Sequence, residues 1–129
     1  VIGYGVDEMP AFFSRRSGLP VDARLDTPQA IANVIMTRRQ FQLQSGMLVT
    51  VPVPLEAAGD PEEMEAAINQ ATQEADALGI HGPASTPWLL RRVVELTDGH
   101  SMQANTALLQ NNGRVAATIA AALSQASKT

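Results

Sequence analysis

The sequence predicts an α/β fold with two short strands and about four helices. Three observations predict it. Val1-Ile2-Gly3-Tyr4 and Met47-Leu48-Val49-Thr50-Val51 are short apolar runs bounded by turn residues, as buried strands are. Three later stretches repeat apolar residues at steps of three and four behind a helix-capping residue. The resulting order of strand, helix, strand, helix, helix, helix places helices against a sheet. So many helices for so little sheet imply further strands outside these 129 residues.

The first strand runs into a turn marked by Gly5, and Asp7 to Phe13 is expected to form a short helical turn. The strand starts at residue 1 without an initiator Met, and its hydrogen-bonding neighbours are expected partly upstream. Ser14 to Asp26 reads as a loop punctuated by Gly18-Leu19-Pro20. Thr27-Pro28 opens a helix, with Thr as cap and Pro at the first helical position. Ile31, Val34, Ile35 and Phe41 would line its inner face, and it should stop near Ser45-Gly46. Pro52 and Pro54 close the second strand or hold it at a sheet edge.

Asp60-Pro61 opens a helix whose Glu63 is placed for a capping box. Its stripe would be Met64, Ile68, Ala71, Ala75 and Leu78, with Gly79 as the stop. Thr86-Pro87 starts another helix, with Leu89, Leu90, Val93 and Leu96 inward and Gly99 beyond its end. Ser101 is expected to cap the last, long helix, which runs toward Ala126.

Composition excludes several classes of function. A net charge of -4 gives no positive field to draw in nucleic acid. With no cysteine there is no disulfide framework, no thiolate nucleophile and no Cys-held metal. No apolar run approaches the roughly 20 residues needed to span a bilayer, so no membrane partner is expected and the cytoplasm is the expected location.

The candidate chemistry lies in two places. Asn105, Leu108, Asn112, Val115 and Ile119 share one face of the last helix, which sets two amides on its apolar stripe. An amide there bonds to neighbouring loop backbone or points into a ligand cavity, because a buried amide without a partner costs about 1–3 kcal/mol. Asp7 and Glu8 stand beside the glycine turn, where carboxylates can serve as acid, base or metal ligand. The plainer alternative has Asp7 capping the turn and Glu8 facing water. Arg15, Arg16 and Arg24 could hold a phosphate or simply line a solvated loop. His81 and His100 stand alone after helix ends, without zinc-ligand spacing.

The run VIGYGVDEMPAFFSRRSGLPVDARLDT resembles the pseudouridine-5′-phosphate glycosidases. The likeness continues through GMLVTVPVP and TPWLLRRVVELTDGHSMQANTALLQNNGRVAATIA to the C-terminus. It implies that residues 1–129 form a single region, the C-terminal portion of a larger domain with a mixed-sheet α/β/α fold. It also implies a reaction at the C–C bond between ribose 5-phosphate and uracil, through a lysine that forms a Schiff base with the opened sugar. That lysine, the acid/base glutamate and the aspartate holding a manganese ion are expected upstream, so no catalytic residue and no metal ligand is expected within this chain. The single lysine, Lys128, matches no family motif.

The resemblance places one active-site residue here, Asn105, in the stretch Ser101-Met102-Gln103-Ala104-Asn105. Asp7, Glu8 and Arg15 match positions near the pocket mouth, so all four are expected to bind substrate. A phosphosugar substrate, a Mn(2+) cofactor and a homotrimer follow from the family. Several residues depart from its pattern: Val6 for Thr, Met9 for Phe, Phe13 for Tyr, Arg16 for Ser, and Thr50-Val51 for Ala-Asn. The more apolar surroundings suit a larger aglycone, which makes a C-glycosynthase acting on an aromatic natural product the alternative. A non-catalytic fragment serving as scaffold is the alternative of a different class.

Overall fold

Strand β1, Ile2–Tyr4, lies at the centre of a three-stranded parallel sheet in the computed structural model, which describes residues 1–11 and 15–128. Strand β2, Ala23–Leu25, flanks it on one side and β3, Val49–Thr50, on the other. Ile2 faces Ala23 and Val49 in register, and Gly3 faces Arg24 and Thr50. The α/β class is as expected, with three strands rather than two. Strand β2 falls inside the stretch read as loop, because Ala-Arg-Leu between two aspartates carries no apolar run. Pairing makes it a strand: Gly5 N–H donates to the Leu25 carbonyl at 3.0 Å. Strand β3 is shorter than the apolar run that predicts it, because Pro52 and Pro54 have no N–H to extend a ladder. Thr50 Oγ1 donates to the Ile2 carbonyl at 3.2 Å and seals the junction with β1.

The turn after β1 depends on Gly3, where a Cβ would lie 2.1 Å from the Val6 carbonyl oxygen. No helical turn forms over the described part of Asp7 to Phe13. Glu8 instead makes an isolated antiparallel bridge with Pro20. Phe13, with its departure from the family pattern, lies outside the described residues.

Helix α1, Pro28–Gln40, crosses from β2 to β3, and Thr27 Oγ1 accepts from Ala30 N–H at 3.2 Å, as its capping role predicts. It ends before the expected Ser45-Gly46 stop. Gln42 adopts a left-handed φ of 54°, and Arg38 reaches forward to Ser45 to hold the returning chain. Ile31 is wholly buried, whereas Phe41, expected inside, is 73% exposed beyond the helix end.

Helix α2, Pro61–Ala77, is capped by Asp60, whose Oδ1 accepts from the N–H groups of Glu62 and Glu63. Its buried stripe is Met64, Ala67, Ala71 and Ala75. Ile68 and Leu78, expected inside, are exposed, since small alanines let α2 sit close to its neighbour. Gly79, at φ 67°, ends the helix, and the Ile80 N–H closes back on the Ala75 carbonyl at 2.9 Å.

Helix α3, Ser85–Leu96, follows a 3-10 turn at Gly82–Ala84. Arg92 on α3 forks onto both carboxylate oxygens of Glu74 on α2, at 2.6 and 3.0 Å. Helix α4, His100–Ala126, starts at Gly99 and not at Ser101. Gly99 takes φ 84°, which the turn from α3 requires, and this moves Ser101 into the first helical turn. The main core joins Val53, Met64, Ala67, Ala71, Val93 and Ala104. On its other side α4 packs along α1, where Ile31, Ala32, Val115 and Ala122 are buried.

Candidate active site

The turn after β1 and the loop that returns to β2 border an open pocket of about 300 Å³. Gly5 and Val6 form part of its wall, and Asp7, Glu8, Arg15, Arg16 and Arg24 supply the charged groups. Three of the four expected substrate-binding residues, Asp7, Glu8 and Arg15, therefore meet here. Arg24 Nη1 donates to Asp7 Oδ2 at 2.8 Å, and its Nε donates to Asp26 Oδ1 at 2.8 Å. Glu8 accepts from Arg16 Nη2 at 2.7 Å and from the Gly18 N–H at 3.0 Å. Those two bonds, Arg16 first, hold its carboxyl below the ordinary value of 4.5. Asp26 and Asp7 hold Arg24 firmly protonated.

Glu8 does not face water freely, as the plainer reading has it, and Asp7 holds Arg24 rather than a helix end. Arg15 has a different kind of partner. Its Nη1 donates to the main-chain carbonyl of Val53. A carbonyl leaves a guanidinium its full charge, so Arg15 keeps electrostatic pull for an anion in this pocket.

Asn105 lies elsewhere. It lines a groove of about 260 Å³ between α3 and α4, with Leu90, Val94 and Met102 as the apolar wall and Arg91, Glu95 and Ser101 beside them. Asn112 points into a third groove of about 450 Å³ along β3. Leu108, Val115 and Ile119 share that groove with Met9 and Val51. Three residues that depart from the family pattern, Met9, Thr50 and Val51, thus converge on one largely apolar groove. The amide that bonds to backbone is neither predicted one. Asn111 Nδ2 donates to the Pro52 carbonyl at 3.2 Å.

Ser101 escapes sequence reasoning because a serine just before a helical stretch looks like a cap. The Asp98-Gly99 pair was the available signal, since both take left-handed φ and set the helix start earlier. Ser101 is wholly buried, and its hydroxyl has no hydrogen-bond partner among the described residues. His81 and His100 are both exposed.

Among the described residues no three His, Cys, Asp or Glu side chains come together as a metal would need. Asp7 and Glu8 already hold arginines, so this donor set does not make a metal centre. Among the described residues no helix is long and apolar enough to cross a membrane.

Residues 1–122 match the family model described as indigoidine synthase A like protein. The chain belongs to that family. Two relatives carry the name pseudouridine-5′-phosphate glycosidase. The protein from Rhodospirillum centenum is 50% identical over 121 residues, which is 94% of this chain and 38% of that protein. The one from Paracoccus denitrificans is 49% identical over 123 residues, 95% of this chain and 40% of that protein. Among solved structures, the prealnumycin C-glycosynthase AlnA in complex with ribulose 5-phosphate superposes with a TM-score of 0.86 at 31% identity. That match covers 98% of this chain and 42% of the synthase. An indigoidine synthase A-like protein from Thermotoga maritima superposes at 0.77 with 30% identity, over 96% of this chain and 40% of its own. This family member therefore spans about two fifths of the length of the relatives it matches.

Proposed function

We propose that this chain is part of an enzyme that cleaves or forms the C–C glycosidic bond between ribose 5-phosphate and uracil. The observation that carries the reading is the match along 94% of the chain, at 50% identity, to a protein named for that substrate. The site geometry supports it. Asn105 offers an amide donor and acceptor on an apolar groove wall, the arrangement that orients a small polar ring. Arg15, whose guanidinium bonds to the neutral Val53 carbonyl, offers positive charge to an anion. Asp7 and Glu8 keep the neighbouring arginines in place at the mouth of that pocket.

The Schiff-base lysine and the manganese ligands belong, in this proposal, outside this chain, and the working assembly is a cytoplasmic homotrimer. Manganese would supply charge neutralisation near the sugar. The residues described here would bind and orient the substrate.

A second reading is favoured by one observation, the convergence of Met9 and Val51 on the β3 groove. That apolar surface suits a larger aromatic aglycone joined to ribose 5-phosphate in the bond-forming direction. One assay separates the two. The protein expressed from its complete gene is supplied with pseudouridine 5′-phosphate and manganese. Brisk uracil release supports the first reading and sinks the second.

A further inference from the structure

We infer that the Ser101 hydroxyl is a second ligand-binding group of the α3–α4 groove, and that it acts with Asn105 on the polar edge of a flat cyclic amide or imide. The inference rests on the proposed function for the ring that enters the groove. It is carried by the state of Ser101 itself. The side chain has 0% exposure, and its Oγ is the one buried side-chain polar atom without a partner among the described residues.

A buried hydroxyl without a bond is costly, and native proteins rarely leave one so. The neighbouring hydroxyl shows what a structural role looks like on this turn. Thr97 Oγ1 donates to the Val93 carbonyl at 2.8 Å and accepts from the Ser101 N–H at 3.2 Å, which satisfies it fully. Ser101 has no such arrangement.

Ser101 lines the same groove as Asn105, which lies four residues later and so on the same face of α4. A hydroxyl and a carboxamide at that spacing provide two donor groups and two kinds of acceptor along one line. The alternating carbonyl and N–H edge of a cyclic imide presents the complementary set. Leu90, Val94 and Met102 give its flat faces apolar contact, and about 260 Å³ admits a single ring rather than a large ligand. Leu90 and Met102 are 36% and 58% exposed, so they have the rotamer freedom to uncover the hydroxyl as the ring enters.

The test compares wild type with Ser101→Ala, both expressed from the complete gene. Uracil and ribose 5-phosphate are titrated separately, and melting is recorded without ligand. The expected result is uracil binding weakened about three- to tenfold, which is one hydrogen bond, with ribose 5-phosphate binding unchanged. The variant should also melt no lower than wild type, because folding loses no bond.

Unchanged uracil affinity overturns the inference, as does a lower melting temperature with unchanged affinity, the sign of a structural hydroxyl. Absence of uracil binding by wild type overturns it too. Should uracil bind through Ser101 while pseudouridine 5′-phosphate is not cleaved, the proposed reaction fails and this inference stands.

Discussion

The Arg15 guanidinium donates to the main-chain carbonyl of Val53, a partner 38 positions along the chain. The neighbouring carbonyl, Pro52, accepts from Asn111 on α4. Both bonds have one cause. Pro52 and Pro54 lack N–H groups, so the chain after β3 leaves the ladder and its carbonyls need side-chain donors. The Pro-Val-Pro segment thereby ties the charged pocket to the long helix that carries Asn105.

Removing either donor should loosen that tie. Asn111→Ala is expected to cost about 1 kcal/mol, the usual net worth of one such bond. That corresponds to a melting temperature lower by roughly 3–6 °C for a domain of this size. Asn112→Ala, whose side chain meets an open groove, should stay within about 0.5 kcal/mol of wild type. Thermal denaturation of the two variants checks this, and equal losses would contradict it.

Gly3 is the backbone position least able to change. A Cβ there would stand 2.1 Å from the Val6 carbonyl oxygen, which belongs to backbone and cannot swing away. Gly3→Ala is therefore expected to cost more than about 3 kcal/mol, among the larger effects of a single substitution. Urea denaturation would show it, and a midpoint close to wild type would mean that the turn after β1 is not as tight as described.

The Glu74–Arg92 pair gives the fold a defined acid response. Hydrogen bonds from Arg92 and then Gln70 hold the Glu74 carboxyl at about 2, down from 4.5. A lowered carboxyl pKa favours the folded state while the group is ionised. The contribution is thus complete above about pH 4.5, fades as pH falls from there, and is gone below about 2. Both side chains are roughly one-third exposed, so salt should weaken it. Urea midpoints measured between those pH values should fall more steeply for wild type than for Glu74→Gln. Parallel curves would show that the pair is not coupled to folding.

The parts of this fold legible in the sequence were those with local causes. Thr27-Pro28, Asp60-Pro61 and Gly79 mark helix ends through hydrogen bonds within a few residues, and each acts as its residue type predicts. Strand β2 was hidden because its pairing with β1 alone defines it. Phe41, Ile68 and Leu78 have helical spacing, yet tertiary packing left them exposed and chose Ala67 to join the expected Met64, Ala71 and Ala75 in the interior. In the candidate site, sequence nearness brought Asp7, Glu8 and Arg15 into one pocket. The separation of Asn105 from them comes from how α3 and α4 pack and has no local signature, whereas the place of Ser101 in the first helical turn had one local sign, the Asp98-Gly99 pair.

In the proposed function, Asn105 orients substrate for a reaction at a C-glycosidic bond. The most direct measurement is uracil release from pseudouridine 5′-phosphate, with manganese, by the protein expressed from its complete gene, beside its Asn105→Ala variant. Wild type should release uracil, with a kcat/KM lower by about 100-fold in the variant, near 2.7 kcal/mol of lost transition-state binding. No release by wild type, or equal rates for the two proteins, would contradict it.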